Sequence, residues 1–365
     1  MQLPRSINKW LIPYLLRKRN NGSGARHLIL SICDHFEPFH KADLHTAIQR
    51  ARAWREEFVF LAQNFLDSSG TSARHTFFYP IEQYNEKVIS IIADLCSSTG
   101  CETEIHLHHD NDTPENLHAA LCAGKTQLAR HRLLSFCPEG NIVFGFIHGN
   151  WALANCHPRG INCGVADEID VLQNAGCYAD FTMPSAPHPT QPRTINAIYY
   201  SRPGSPEPLE NGFASAVNAA QRKGLLMVQG PLGLNWKSRK WGLFPRIENG
   251  ALTEANPPTL QRMRLWENLG IQVTGMPDWT FIKLYTHGAL PGNQKMLLGK
   301  PMSEFYRSIY EFSLSDDTPD IHFATAREMV NIIHAAEDGM TGNPNDYRNY
   351  RYQRIMKPTV RQPEK

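Results

Sequence analysis

The sequence of 365 residues predicts an α/β fold, in which a parallel sheet of about seven or eight strands closes into a (β/α) barrel. Short apolar runs typical of buried strands alternate with segments whose apolar residues recur every three or four positions, as in helices. This alternation along the whole chain favours closure of the sheet. An open, doubly wound sheet is the alternative, but no glycine-rich turn follows the first strand to give it a nucleotide-binding form.

The predicted elements follow one another in order. The first strand, 27–33, ends at the polar sequence Asp34-His35-Phe36-Glu37-Pro38. Asp43 is suited to cap the helix that follows, and Pro114 is suited to the first turn of a later helix because its missing N–H costs nothing there. Further strands are predicted at 75–79, 103–109, 142–147, 178–182, 225–229, 281–286 and 321–324, and further helices at 86–95, 166–175, 259–269, 302–312 and 326–336.

The composition favours one large domain. We predict an N-terminal extension over residues 1–25, a single barrel domain over 26–340 and a flexible polar tail over 341–365, with a proline-rich loop at 184–208 over one face. Thirty-seven Lys and Arg residues oppose 35 Asp and Glu residues, a net charge of +2, so no overall field attracts nucleic acid or an anionic membrane. A local contact of the Arg- and Tyr-rich tail with nucleic acid is the alternative to a solvated tail.

The chain is predicted to be cytoplasmic. The apolar run 10–16 is interrupted by Pro13 and followed by basic residues, which is not the order of a secretory signal, and no run reaches the ~20 apolar residues of a membrane span. The run is expected to pack as a helix on the domain, with weak contact to a membrane surface as the alternative. Eight cysteines without a C-x-x-C pair are expected to be reduced and buried.

Candidate functional residues collect where the predicted strands end, because reactive groups of a parallel barrel lie at the carboxyl ends of its strands. Histidines are unusually frequent at these positions. The set comprises Asp34, His35, His106, His108, His109, Asp112, His148, Asp180, Gln229 and His287.

The third long strand carries a metal-binding pattern. Alternation places His106 and His108 on one face, together with Glu104, so that two imidazoles two residues apart can converge on a cation. Asp112 at the exit of the strand can add a carboxylate. The alternative is that these histidines are hydrogen-bonded inside the barrel, and His109 is expected to face away.

Two further residues are candidates for proton transfer. Asp34 would lie at a dry barrel mouth, where beside a cation it is ionised and either binds the ion or accepts a proton from water. His287 ends the last long strand and can donate a proton to a leaving amine. A turn-capping carboxylate and a buried structural histidine are the respective alternatives.

Aromatic and polar groups near other strand ends are predicted to bind substrate. His148, Asn150 and Trp151 follow the fourth strand, and Asp180 ends the fifth. Trp236 and Trp241 flank a basic segment after the sixth strand. Indole rings stack on sugar rings, but core packing and, for the second segment, nucleic-acid binding remain alternatives.

Over residues 26–336 these motifs resemble the polysaccharide deacetylase superfamily, the NodB-homology barrels. The sequence Ile32-Cys33-Asp34-His35 is similar to a strand that ends in paired aspartates, with Asp34 matching the base and His35 replacing a metal ligand. Glu104-Ile105-His106-Leu107-His108, which leads to Asp112, is similar to the second motif, with one imidazole ligand replaced by a carboxylate. His287 matches the catalytic histidine. The Arg-Pro motif is missing, since Phe146-Ile147-His148-Gly149-Asn150-Trp151 stands in its place.

The resemblance implies a divalent metal ion, often zinc, that polarises an acyl carbonyl and activates water. Asp34 would then be the base and His287 the acid, with His35, His106, His108 and Asp112 as the ligand candidates. The implied reaction removes an N-acyl group from an amino sugar or glycan precursor during polysaccharide biosynthesis. A glycoside hydrolase that uses Asp34 with Asp180 is one alternative. A non-catalytic sugar-binding or assembly protein is the other, because His35 and Asp112 depart from the family's ligands.

Overall fold

The structure, a computed structural model, describes residues 6–17, 25–205, 207–210, 212–220 and 222–357. It is an α/β structure built on a mostly parallel sheet of 12 strands, with a separate two-stranded hairpin. The strands are β1 His27–His35, β2 Thr76–Pro80, β3 Glu102–Leu107, β4 Ser135–Phe136, β5 Ile142–His148, β6 Cys177–Asp180, β7 Ile198–Tyr200, β8 Phe213–Ala214, β9 Leu226–Val228, β10 Gly233–Lys240, β11 Phe244–Glu248, β12 Trp279–Thr286, β13 Asp320–Phe323 and β14 Gln353–Arg354. The helices are α1 Ile7–Leu16, α2 Leu44–Asn64, α3 Glu86–Thr99, α4 Pro114–Arg130, α5 Glu168–Ala175, α6 Leu260–Glu267, α7 Pro291–Leu298, α8 Lys300–Ser313 and α9 Ala326–Glu337.

Strand β1 pairs with three other strands, β12, β2 and β13, in a sheet whose main order is β12-β1-β2-β3-β5-β6-β9-β7-β8. It pairs in parallel with β12 along nearly its whole length, from His27 opposite Trp279 to Asp34 opposite Thr286. The first half of β1 also pairs with β13, and its last residues pair with β2. The carboxyl ends of β12, β1 and β2 therefore meet at one edge of the sheet.

The predicted alternation of strands and helices is confirmed, with shifts of a few residues at the element ends. The Asp43 carboxylate caps α2 by accepting from the backbone N–H of Thr46 at 2.8 Å. Pro114 occupies the first turn of α4, and Thr113 caps that helix. Strand β3 ends at Leu107, two residues before its predicted end, because the chain leaves the ladder there.

Successive residues of β1 pack on opposite faces of the sheet. Leu28 and Ile32 belong to the apolar core that includes Trp54 of α2. Ile29 and Cys33 belong to a second core on the other face. Each fully buried aliphatic side chain of this kind contributes about 1.5–3 kcal/mol, so both faces fix the register of the strand.

Two segments contain strands that the sequence pattern did not predict. The proline-rich loop 184–208 includes β7, which pairs antiparallel with β9. Residues 233–248, which carry Trp236 and Trp241, form the β10–β11 hairpin. Strand β7 has only three residues, and β10 and β11 contain exposed residues, so none of the three strands has the longer apolar run that identifies a buried strand.

Helix α1 packs Trp10 and Tyr14 against Leu232 and Ala186, and it thereby joins the predicted N-terminal extension to the domain. Residues 1–5 and 18–24 of that extension lie outside the described residues. No helix in the described part of the chain has both the length and the apolar character needed to cross a membrane.

The segment 341–357, predicted to be a flexible tail, packs on the domain. Arg348 is buried, and its guanidinium lies 3.1 Å from the Asp67 carboxylate and 3.0 Å from that of Glu328. Strand β14 also pairs with β4. The polar side chains that suggested a solvated tail form ion pairs with the domain instead. Residues 358–365 of the predicted tail lie outside the described range.

We predict that Glu328→Gln lowers the free energy of unfolding at neutral pH by about 2–4 kcal/mol, because Arg348 and Arg74 each lose a buried partner. Burial by itself raises the pKa of Glu328, but the guanidinium groups of Arg74 and Arg348 lower it to about 2. A folded-state pKa below the ordinary value stabilises the fold above about pH 4.5, and this contribution is lost as the pH falls through about 2.

Denaturant unfolding between neutral and acid pH measures both effects. The variant is expected to be less stable than the wild type at neutral pH. Its free energy of unfolding should also change less as the pH falls. Glu304→Gln is the control, since Glu304 is half exposed in a surface pair with Lys300, and it should change stability by less than about 0.5 kcal/mol. Equal stability of the two variants would contradict the prediction.

Candidate metal centre

Four imidazoles and one carboxylate meet at the carboxyl ends of β1, β3 and β12. We call His35, Glu37, His106, His108 and His287 the imidazole–glutamate cluster. Their possible ligand atoms form two overlapping groups, each within 4.8 Å, and Glu37 belongs to both. One group contains His106 and His108, and the other contains His35 and His287.

The Glu37 carboxylate is the centre of this cluster. Its Oε1 lies 3.4 Å from Nε2 of His106, 3.7 Å from Nε2 of His108 and 3.9 Å from Nε2 of His287. The ring centroid of His35 is 4.9 Å from that of His106 and 4.7 Å from that of His287. Residues more than 200 positions apart in the sequence thus surround one small volume.

The chain is locally fixed on both sides of the cluster. Phe36 packs edge-to-face on Trp54 and on Phe77, which anchors the segment between His35 and Glu37. After His287, Gly288 donates its N–H to Asp34 at 2.6 Å and accepts from the Trp54 indole at 3.0 Å. A Cβ at position 288 would lie 2.1 Å from a carboxylate oxygen of Asp34, so only glycine permits this approach.

Hydrogen bonds outside the cluster orient two of its imidazoles. Nδ1 of His106 is 2.9 Å from the carbonyl oxygen of Ile147, to which it donates, and its Nε2 faces Glu37. That Nε2 is buried and has no hydrogen-bond partner in the described part of the chain. Nδ1 of His108 lies 2.7 Å from Oε1 of Glu82. Carbonyl or carboxylate partners on the outer ring nitrogen are typical of metal-bound histidines, so these side chains fit a divalent ion.

The protonation states also suit a metal ion. Burial by itself raises the pKa of Glu37, but the imidazoles around it, foremost His106, lower it to about 2. Burial lowers the pKa of His35 well below its ordinary value and also lowers the pKa of His287. For His108 burial acts in the same direction, but the Glu82 carboxylate outweighs it and raises the pKa. Glu37 is therefore ionised and His35 is neutral at neutral pH, which are the states in which a carboxylate and an imidazole bind a metal.

One side of the cluster is open to solvent. His35 and His106 are buried, whereas the side chains of His108 and His287 are 29% and 28% exposed. The Trp151 ring lies 6.3 Å from the rings of both His35 and His287. Solvent can therefore reach the cluster on the side of His108 and His287, and Trp151 lies beside His287.

Asp34, the predicted base, lies outside the cluster. Its carboxylate contacts Nε2 of His75 at 2.8 Å and the N–H of Gly288, on the side of the sheet that packs against Trp54. Adjacent residues of a strand point to opposite faces, so Asp34 and His35 cannot both point to the cluster. Asp34 therefore positions the segment that carries His287.

Asp112, a predicted ligand, and His148, a predicted substrate residue, lie in a group around Glu168 and not beside His108. Asp112 lies 3.1 Å from Nδ1 of His109, and His109 and His148 both contact Glu168. Asp112 was predicted as a ligand because it follows the exit of the strand, but β3 ends at Leu107 and the chain beyond it turns toward Glu168. Asp112 and His148 thus belong to a second polar group.

The other predicted substrate residues are dispersed. Asn150 is exposed beside Trp151. Asp180 is buried and accepts from the hydroxyl of Thr182 at 2.6 Å, and burial raises its pKa to about 7. Trp236 and Trp241 are 56% and 85% exposed on the β10–β11 hairpin, so neither is a core residue.

Sequence reasoning missed three residues of this region. Glu37 and Glu82 follow the ends of β1 and β2, and their position after a strand was the signal that could have identified them. Lys283 points into the protein, where its ammonium donates to the carbonyl of Phe181 at 2.6 Å. Burial lowers the pKa of Lys283 to about 8.

Comparison of the sequence with models of protein families and with curated proteins found no match. The chemistry of the site must therefore follow from its side chains and their surroundings.

We predict that Asp34→Asn lowers the free energy of unfolding by about 2–4 kcal/mol, because a fully buried carboxylate that holds both His75 and Gly288 loses its charge. Equilibrium denaturation measures the loss. Asp94→Asn is the matched control: Asp94 is half exposed in a pair with Arg55, and the change is expected below about 1 kcal/mol. If Asp34→Asn were as stable as the wild type, the contacts of Asp34 would not anchor the segment that carries His287.

Proposed function

We propose that the chain is a metal-dependent hydrolase that removes an N-acyl group from an amino sugar or glycan precursor. The observation that carries the proposal is the imidazole–glutamate cluster, which combines possible metal ligands, hydrogen-bond partners that orient two of them and an opening to solvent. The resemblance of the β1, β3 and β12 motifs to polysaccharide deacetylases supports the choice of an acyl amide as the bond that is broken.

Glu37, His106 and His108 are the residues we assign to hold the ion. Three protein ligands leave a position free for substrate or water, as in catalytic zinc sites. A bound divalent ion would supply Lewis acidity toward the acyl oxygen and toward water. Glu82 would orient His108, and the carbonyl of Ile147 would orient His106.

His287 is the residue we assign to proton transfer. Hydrolysis adds water across the C–N bond, so the leaving nitrogen must gain a proton. Nε2 of His287 lies 3.9 Å from Glu37, and its side chain is partly exposed on the open side of the cluster. His35 packs against it and would hold the ring in place, while Asp34 would position it through Gly288.

Trp151 is the residue we assign to the sugar ring. Its indole stands on the open side beside His287, where an apolar face of a pyranose could pack. Asn150 next to it is exposed and can donate or accept hydrogen bonds.

We further propose that the sheet closes into a barrel and that the protein acts in the cytoplasm. Support for closure comes from Lys283 of β12, which reaches the carbonyl of Phe181 after β6. Ile29, Ala179 and Phe281, from three different strands, also share one core. Support for a reducing compartment comes from the eight cysteines, all of which are free thiols.

We predict that a metal chelator abolishes release of acetate from N-acetylated amino sugars and glycans, and that added zinc restores it. Glu82→Gln should lower kcat/KM at limiting zinc by about 10- to 100-fold, because His108 loses the partner that orients it. Glu57→Gln, at an exposed position of α2, is the control and should retain full activity. Chelator-resistant cleavage of glycosidic bonds would instead favour a glycoside hydrolase.

We predict that Trp151→Ala raises KM for the active sugar by about threefold to tenfold with a smaller change in kcat, since a stacked aromatic ring contributes about 0.5–1.5 kcal/mol. Steady-state kinetics separates the two parameters. Trp241→Ala tests the exposed hairpin in the same assay. If KM rises in Trp241→Ala but not in Trp151→Ala, the sugar binds at the hairpin and not beside Trp151.

A further inference from the structure

A second group of metal-ligating side chains lies apart from the imidazole–glutamate cluster. We call His109, His148, Cys163 and Glu168 the thiol–histidine cluster, and their possible ligand atoms all lie within 4.8 Å of one another. The four residues come from the exit of β3, the end of β5, the loop after it and the first turn of α5.

Glu168 is the centre of this cluster and is fully buried. Its Oε1 lies 3.2 Å from Nε2 of His109, and its Oε2 lies 3.4 Å from the sulfur of Cys163 and 3.7 Å from Nε2 of His148. The cluster therefore offers two nitrogens, one sulfur and a carboxylate, which are the donor types of tetrahedral zinc sites.

His148 provides the second, independent observation. Its ring is completely buried, and its Nε2, which faces Glu168, has no hydrogen-bond partner within the described ranges. Its other nitrogen, Nδ1, contacts the carbonyl oxygen of Gly149. A buried nitrogen without a partner costs about 1–3 kcal/mol, and a bound cation at this point would remove that cost.

We propose that the thiol–histidine cluster is a structural zinc site, separate from the catalytic centre. A divalent ion with one thiolate, one carboxylate and two neutral imidazoles forms a neutral assembly, which is the condition for burying charged groups without a large desolvation penalty. Binding releases the proton of the Cys163 thiol to solvent. Asp112, 3.1 Å from Nδ1 of His109, is the outer carboxylate that orients this imidazole.

The site would clamp the loop that carries Trp151. Residues 149–167 connect β5 to α5, and this loop is attached to the exit of β3, where the N–H of Asp112 donates to the carbonyl of Cys163 at 3.0 Å. Glu168 also accepts from the N–H of Ala154 at 2.7 Å. An ion here would cross-link the exit of β3, the end of β5, the loop and the start of α5, so its loss should loosen the loop.

The test uses the full chain loaded with Co²⁺, because a thiolate bound to Co²⁺ gives a charge-transfer absorption in the near ultraviolet that imidazole and carboxylate ligands do not give. In the described part of the chain, the thiol–histidine cluster is the only potential metal group that includes a cysteine. We expect the band in the wild type and its loss in Cys163→Ala, with a decrease of about one bound ion per chain.

Two variants serve as controls. Cys101→Ala, at a buried cysteine outside the cluster, should retain the band. His108→Ala, which removes one of the three ligands assigned to the imidazole–glutamate cluster, should lose the ion of that cluster but retain the band, so failure of the proposed catalytic centre and failure of the structural site are distinguishable. A fully loaded wild type without the band, or a band that persists in Cys163→Ala, would overturn the proposal. Should Cys163→Ala not fold, the wild-type and His108→Ala spectra decide.

Discussion

The parallel pairing of β1 with β12 is the constraint on which the candidate site depends. The ladder sets Asp34 opposite Thr286, and the next residues on each strand, His35 and His287, are therefore neighbours at the same edge. Apolar residues buried on both faces prevent a shift of register, since a slip by one position would reverse every side chain. The geometry of the imidazole–glutamate cluster is thus a consequence of core packing.

The two clusters divide the histidines at the end of β3 and just beyond it. His106 is still in the strand and points to Glu37, whereas His109 lies beyond its end and turns to Glu168. The proposed catalytic centre keeps solvent access through His108 and His287, but the thiol–histidine cluster is buried. Access to water is what distinguishes a site for turnover from a site for structure.

Buried charges stabilise the structure on the side away from the clusters. Arg327 forms two hydrogen bonds with Glu102, at 2.9 and 2.6 Å, and Arg348 links the C-terminal segment to Asp67 and Glu328. These ion pairs and hydrogen bonds offset the free-energy cost of removing the guanidinium groups from water. A tail that composition alone would leave in solvent becomes part of the domain.

The sequence by itself determined the order and type of most elements, because burial imposes periods of two and 3.6 residues on strands and helices. It also identified His35, His106, His108 and His287 as residues at strand ends. The tertiary structure alone decided which of these meet, that Glu37 is their centre, and that Asp34 and Asp112 lie elsewhere. Side-chain direction at the end of a strand depends on contacts with distant segments, and no local pattern records those contacts.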